Sequence, residues 1–179
     1  CSSDLAVRLD RCLRSIRANQ GNGPAVEILV VDNGSTDGSP DVARALGARV
    51  ITSDAPSVAS LRNLAARQAN GSVLAFVDAD HEITASWARV AAATIGHDRV
   101  AATGALCLAP IDGTWVQRAY GLLRGIPAGV RDVEWLGSGN LAVQRSVFES
   151  VGGFDTSLIT CEDVDLCNRI RAAGFRIVS

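Results

Sequence analysis

The chain has 179 residues, 47% of them hydrophobic and 20% charged, which excludes a disordered polypeptide and suits a single globular domain over residues 1–179. The net charge is −2 and basic residues form no run, which excludes a nucleic-acid-binding footprint. Five scattered cysteines without a CxxC pair exclude a disulfide framework and a zinc ribbon. With no signal peptide visible, reduced thiols predict a cytoplasmic location.

Predicted helices and strands alternate along the chain. They are a helix over 4–19, a strand over 26–31, a helix from Ser39, a strand over 49–52, a helix over 57–69, a strand over 72–77, a helix from Thr84, strand-like runs at 99–108 and 140–144, a helix over 162–173 and a strand over 175–178. This order predicts an α/β fold with a mostly parallel sheet flanked by helices. Because the chain opens on a helix, we expect a central first strand to precede residue 1 and the native protein to be longer at both ends.

Polar loops follow two of the predicted strands, and ligands of open α/β sheets bind at the carboxyl ends of strands. The loop at 32–38 begins with Asp32, whose carboxylate can accept hydrogen bonds from a base or a ribose. Taken alone, the same residues favour an ordinary turn.

Asp78 and Asp80 come directly after an apolar strand and are separated by one residue. In extended backbone both carboxylates project to the same side, which favours a divalent cation such as Mg²⁺ or Mn²⁺ between them and a diphosphate. A solvated acidic turn is the alternative. His81 and His97 are predicted to form no metal cluster.

Two further helices carry charged residues of interest. Arg62, in the helix over 57–69, can reach a phosphate with its planar fork or can be an exposed surface residue. Glu162 and Asp163 open the last predicted helix, where an acid can serve as a general base or can simply favour the helix N-terminus. The glycine-rich turn at 137–140 allows close approach of an acceptor or forms a tight connection.

Five segments stand in a recognisable order: VVDNGSTDGS at 30–39, RN at 62–63, FVDAD at 76–80, LGSGNLAVQRSVFESVGGFD at 136–155 and EDVDLCNRIRAAGFRI at 162–177. This succession resembles the family 2 glycosyltransferases over almost the whole chain. The resemblance implies a GT-A-like fold, with a nucleotide-sugar-binding half over about 1–95 and an acceptor-binding and catalytic half over about 96–179.

The resemblance also implies a role for each site residue in an inverting transfer. Asp163 would be the catalytic base, Asp32, Arg62 and Asp78 would bind the nucleotide, Asp80 with Asp78 would hold Mg²⁺ or Mn²⁺, and Gly137, Ser138, Asn140 and Glu162 would line the acceptor side. The implied donor is a UDP-, GDP- or dTDP-sugar, and the acceptor is a glycan or a lipid-linked molecule. Peripheral association with the inner face of the membrane stays open.

Two other functions remain alternatives. A nucleotidyltransferase of related fold also binds a nucleotide and magnesium, but it usually carries a glycine-rich basic loop near its N-terminus. A degenerate module binds a nucleotide without catalysis, but a decayed site tends to lose its acids, and Asp78, Asp80 and Asp163 are present. Metal-dependent nucleotide binding without sugar transfer would favour the module.

Overall fold

The computed structural model describes residues 5–18, 23–105, 107–108, 113–116, 119 and 129–179. Its helices and strands, in chain order, are α1 (Leu5–Arg17), β1 (Leu29–Asp32), α2 (Ser39–Ala45), β2 (Arg49–Thr52), α3 (Val58–Gln68), β3 (Val73–Val77), α4 (Trp87–Thr94), β4 (Val100–Gly104), β5 (Asn140–Gln144), α5 (Arg145–Ser150), α6 (Glu162–Ala172) and β6 (Arg176–Val178).

These strands form two sheets. β1 and β2 are a parallel pair, and the other four strands lie in the order β3-β5-β4-β6. β5 runs antiparallel to both β3 and β4, whereas β4 and β6 are parallel. Three strands of the larger sheet therefore share one direction. The predicted α/β class with a mostly parallel sheet is confirmed, with β5 as a reversed strand that the sequence analysis did not anticipate.

Local sequence explains several helix boundaries. α1 buries Leu9, Cys12 and Leu13, which recur at helical spacing. α3 is capped by Ser57, whose hydroxyl oxygen accepts a hydrogen bond from the amide of Ser60 at 3.2 Å. α2 begins at Ser39, as expected, and Gly38 takes its N-cap position with a φ of 80°, which suits glycine.

Other predicted boundaries differ from the structure. The strand expected from residue 26 begins at Leu29, and the helix expected from Thr84 begins at Trp87. The run at 99–108 forms a strand only over Val100–Gly104 within the described residues. α5 was not predicted, because its six residues follow β5 directly and are too few to show a helical period.

The main core lies between the larger sheet and helices α3, α5 and α6. Its fully buried side chains include Leu141, Val143, Leu166, Ile170 and Ile177, each contributing about 1.5–3 kcal/mol through burial.

Three phenylalanines extend this core towards the loop that follows α5. The ring centroids of Phe76, Phe148 and Phe154 are 5.0–5.6 Å apart in tilted and edge-on arrangements, which aromatic rings prefer. Phe154 is thereby held beneath α3, next to a residue of the predicted site.

A second, smaller cluster joins α1, α2 and the two-stranded sheet, with Leu9, Leu13 and Ala43 at its centre. Glu27, just before β1, connects this region to the turn before β3, because its carboxylate accepts hydrogen bonds from the backbone amides of Asn70 and Gly71. The Asn70 amide is the main cause of a lowered pKa at Glu27.

Two predictions about the chain's organisation stay predictions. The first is the strand expected before residue 1. The second is the division into two functional halves near residue 95. The two halves share one sheet, because β3 from the first half pairs with β5 from the second. None of the helices among the described residues combines the length and apolar composition that crossing a lipid bilayer requires. Cys12, Cys107, Cys161 and Cys167 are free thiols in the described part of the chain.

Candidate active site

The carboxyl end of β1 carries Asp32, which is only 8% exposed. Its Oδ1 accepts a hydrogen bond from the amide of Ser35 at 3.2 Å. The side-chain amide of Asn33 donates to the carbonyl of Ser53, beyond β2, at 2.8 Å. The loop is therefore held against the ends of β1 and β2, with Asp32 as a buried carboxylate at that edge.

Three residues with ligand-type side chains follow β3. One ligand atom from each of Asp78, Asp80 and His81 lies within 4.8 Å of the others. The amide of His81 donates to the carbonyl of Asp78 at 3.0 Å, which closes a tight turn. His81 therefore belongs to a candidate metal-binding group, whereas the sequence had placed no histidine in one. Local sequence alone does not show that this turn brings the ring back against the two carboxylates.

The electrostatic surroundings of this cluster are negative. The pKa of the buried Cys12 thiol reflects this negative charge. Its Sγ lies 3.7 Å from the carbonyl oxygen of Asp78. Burial is the main cause that raises the pKa of Cys12 to about 11, and the charges of Asp80, Glu82 and Asp78 add to it. The thiol stays neutral at physiological pH, and the same field attracts cations.

The reversed direction of β5 brings the turn at 137–140 to the same place. Val77, at the end of β3, lies opposite Asn140, at the start of β5. The amide of Asp78 donates to the carbonyl of Gly139 at 3.2 Å, which extends the pairing beyond the strand. Because β5 is antiparallel, the residues before it reach the carboxyl end of β3; a parallel β5 would place them at the opposite edge.

The first turn of α6 meets this glycine-rich turn through its carboxylates. The amide of Ser138 donates to Asp163 Oδ2 at 3.1 Å. The hydroxyl of Ser138 lies 3.5 Å from both Asp163 Oδ2 and Glu162 Oε1. Ser138 is 5% exposed. The turn therefore fixes one oxygen of Asp163 by a charge-assisted hydrogen bond from the backbone.

Arg62 joins the end of β3 to the start of α6. Its Nη2 is 2.8 Å from Asp78 Oδ1 and its Nη1 is 2.7 Å from Glu162 Oε1. The Arg62 side chain is 16% exposed, and its guanidinium lies 5.7 Å from the ring centroid of Phe154. A planar fork with two donors in fixed directions is suited to holding two carboxylates in one arrangement.

Asn63, the neighbour of Arg62, holds the loop on which Phe154 lies. Its side-chain oxygen accepts from the amide of Phe154 at 3.0 Å, and its side-chain nitrogen donates to the carbonyl of the same residue at 2.8 Å. The two residues of the RN segment therefore have different roles. Arg62 binds the carboxylates of Asp78 and Glu162, and Asn63 binds the backbone of Phe154, whose ring lies next to Arg62.

Asn140 uses both ends of its side chain within the protein. The indole nitrogen of Trp87 donates to Asn140 Oδ1 at 2.7 Å, and Asn140 Nδ2 donates to the carbonyl of Ala105 at 3.0 Å. These bonds hold the start of β5 against α4. No local sequence pattern indicated this polar contact of Trp87.

Most of the predicted site residues form one connected group. Direct contacts link Arg62, Asp78, Ser138, Glu162 and Asp163, and the sequence-adjacent residues Gly137, Asn140 and Asp80 flank them. Asp32 is separate: the described part of the chain shows no hydrogen bond or ion pair between it and this group. Three carboxylates of the group pair with guanidinium groups: Arg62 contacts Asp78 and Glu162, and Arg8 lies 3.9 Å from Asp80.

Residues 6–151 match a family model described as glycosyl transferase family 2. This chain belongs to that family. Membership confirms the resemblance noted from the five segments. The chain is also 27% identical over 181 aligned residues to the glycosyltransferase AglE of Haloferax volcanii, covering 96% of this chain and 60% of AglE.

Solved structures of related fold agree with this assignment. The mannosyltransferase PcManGT from Pyrobaculum calidifontis, in complex with GDP-Man and Mn²⁺, superposes with a TM-score of 0.75 at 23% identity over 96% of this chain and 50% of that one. Residues 1–349 of TarS from S. aureus, in complex with UDP-GlcNAc, superpose with a TM-score of 0.68 at 21% identity over 95% of this chain and 51% of that one. These likenesses show the GT-A fold, and the chain spans about half of each solved relative.

Proposed function

We propose that this chain forms the donor-binding and catalytic site of a metal-dependent, inverting glycosyltransferase. The observation that carries the proposal is one continuous set of polar contacts from Asp78 through Arg62 and Glu162 to Ser138 and Asp163. It connects a pair of acids suited to a cation with an acid suited to act as a base, at one edge of the sheet.

The donor end of the site consists of Asp32, Arg62, Asp78 and Asp80. The carboxylate oxygens of Asp78 and Asp80 are hard ligands of the kind that Mg²⁺ and Mn²⁺ take, and the negative field sensed by Cys12 favours a cation there. A bound ion supplies positive charge that stabilises the departing nucleoside diphosphate. Asp32 accepts a hydrogen bond from the nucleobase. GDP-Man and UDP-GlcNAc in two relatives of the same fold support a nucleotide-sugar donor.

Asp163 acts at the acceptor end. Its carboxylate accepts the proton of the acceptor hydroxyl, while the hydroxyl oxygen attacks the anomeric carbon and the bond from that carbon to the diphosphate oxygen breaks. Attack from the face opposite the leaving group inverts the configuration. The amide of Ser138 holds Asp163 Oδ2 in place. Gly137, Ser138, Asn140 and Glu162 line the side on which the acceptor enters.

The proposed acceptor is a glycan or a lipid-linked hydroxyl, with cytoplasmic location and peripheral membrane association. Two exposed apolar side chains flank the acceptor side in sequence: Trp135, 50% exposed, precedes Gly137, and Ile159, 97% exposed, precedes Glu162. Both suit contact with a sugar ring or an apolar tail. Flotation with lipid vesicles tests the membrane part, and a chain that stays at the bottom of the gradient contradicts it.

Calorimetric titration of the chain with UDP, GDP and dTDP, in Mn²⁺ and in EDTA, tests the donor site. We expect one nucleotide to bind in Mn²⁺ and not in EDTA, and Asp80→Asn to weaken that binding at least about tenfold. The matched control is Asp98→Asn, an exposed acid in the turn before β4, at the opposite edge of the sheet. Binding of no nucleotide, or binding indifferent to Mn²⁺ and Asp80, would contradict the proposal.

A further inference from the structure

His81 presents a shielded nitrogen to the acidic pair. Its Nδ1 lies 3.1 Å from Asp80 Oδ1. The two atoms are close enough for an ion pair but are not aligned for a hydrogen bond, and Nδ1 is buried without a hydrogen-bond partner among the described residues. A buried polar atom of this kind costs free energy unless something else satisfies it. Nδ1 therefore faces Asp80 without a hydrogen bond that satisfies it.

Gly139 leaves room for the imidazole and the Asp78 carboxylate to lie side by side. A Cβ atom at this position would lie 2.6 Å from Asp78 Oδ2 and 3.2 Å from His81 Cε1. The first distance is a clash, so any larger residue would displace the carboxylate. Arg62 binds the other oxygen of Asp78, Oδ1, which leaves Oδ2 on the side of Gly139.

The spacing of these atoms fits neighbouring positions around one ion. An octahedral ion with ligands at about 2.1 Å holds adjacent ligand atoms about 3.0 Å apart. The separation of 3.1 Å between His81 Nδ1 and Asp80 Oδ1 matches that spacing, and a ligand atom of Asp78 lies within 4.8 Å of those of both residues.

We propose that His81 is the third protein ligand of the divalent cation, through Nδ1, beside Asp80 and Asp78. The inference rests on the metal site of the proposed function and adds a nitrogen to its oxygen ligands. Imidazole binds first-row transition ions, whereas Mg²⁺ takes oxygen ligands. His81 therefore biases the site towards Mn²⁺ and away from Mg²⁺.

Pulsed electron paramagnetic resonance of Mn²⁺ bound to the chain tests this ligand, because a coordinated imidazole adds a ¹⁴N modulation to the spin echo. The sequence has two histidines, so His97→Asn, in the exposed turn after α4, is a matched control for His81→Asn. We expect the modulation in the parent chain and in His97→Asn, and its loss in His81→Asn. The dissociation constant for Mn²⁺ should rise at least about tenfold in His81→Asn alone.

A measurement on the parent chain keeps the test independent of how His81→Asn folds. Incorporating ¹⁵N-histidine should replace the ¹⁴N modulation by that of ¹⁵N. Bound Mn²⁺ without nitrogen modulation would overturn the role of His81 and leave the Asp78 and Asp80 site standing. No bound Mn²⁺ in the parent chain would overturn the metal site of the proposed function together with this ligand.

Discussion

Replacing Asp163 with asparagine is expected to lower the turnover of sugar transfer about 10²–10⁴-fold, the usual contribution of a general base. The asparagine oxygen can still accept the hydrogen bond from the amide of Ser138, so the turn at 137–140 keeps its anchor. An amide does not take up the acceptor's proton at neutral pH. The nucleotide dissociation constant should stay close to that of the parent, because the described structure shows no hydrogen bond or ion pair between Asp163 and the residues assigned to the donor.

The measurement is the rate of nucleoside diphosphate release with the donor that the titrations identify, compared with the binding affinity of the same preparation. Asp165→Asn is the matched control, because Asp165 lies in the same first turn of α6 and bonds to Arg169 at 2.8 Å. It should turn over at close to the parental rate. Parental turnover in Asp163→Asn, or an equal loss in both variants, would assign the base elsewhere.

Replacing Arg62 with methionine should lower both stability and nucleotide affinity. The change removes the guanidinium from between Asp78 and Glu162 and leaves two carboxylates without their cation. Removing one partner of a buried ion pair costs about 3–5 kcal/mol; because Asp78 is 45% exposed, we expect a smaller loss of about 2 kcal/mol in the free energy of unfolding. Metal-dependent nucleotide binding should weaken because Asp78 loses its fixed position.

Urea denaturation and calorimetry on one preparation measure both effects. Arg67→Met is the matched control, since Arg67 is an exposed arginine of the same helix, α3. Arg62→Lys keeps the charge without the fork, and it should recover part of the stability but not the affinity. If Arg62→Met and Arg67→Met unfold at the same urea concentration and bind the nucleotide alike, Arg62 does not hold the site together.

Elements with a clear period were predictable from the sequence. The apolar spacing of Leu9, Cys12 and Leu13 predicted α1, and the continuous apolar run before Asp78 predicted β3. The position of the acids after β3 followed from the same run. These features depend on residues that are close together in the chain.

The direction of β5 was not predictable from the sequence. The hydrophobic pattern of a strand shows which residues are buried, but it does not show which strands it pairs with or in which direction it runs. The direction determines the site: it brings Gly139 to Asp78 and Ser138 to Asp163. From the sequence, the turn at 137–140 was assigned to the acceptor side only because of the family resemblance. The antiparallel pairing now provides a physical reason why this turn lies at the acidic edge.

Side-chain contacts between residues far apart in the chain were also not predictable from the sequence. Arg62 bonds to a residue 16 positions away and to another 100 positions away, and no local pattern reports either. His81 is different, since it directly follows Asp80. From sequence it was assigned to no metal cluster, whereas its place beside the two carboxylates arises from the turn that the Asp78 carbonyl closes.

The most direct test of the central claim is ¹⁵N NMR of the chain with its nucleotide and Mn²⁺. Relaxation by Mn²⁺ falls with the sixth power of distance, so it maps the ion onto the fold. We predict the strongest broadening at residues 78–81, 137–140 and 162–163, and sharp signals at residues 96–99 and 174–175, which precede the parallel strands β4 and β6 at the opposite edge. Broadening centred on that opposite edge, or spread evenly over the chain, would contradict a single donor and catalytic site at the end of β3.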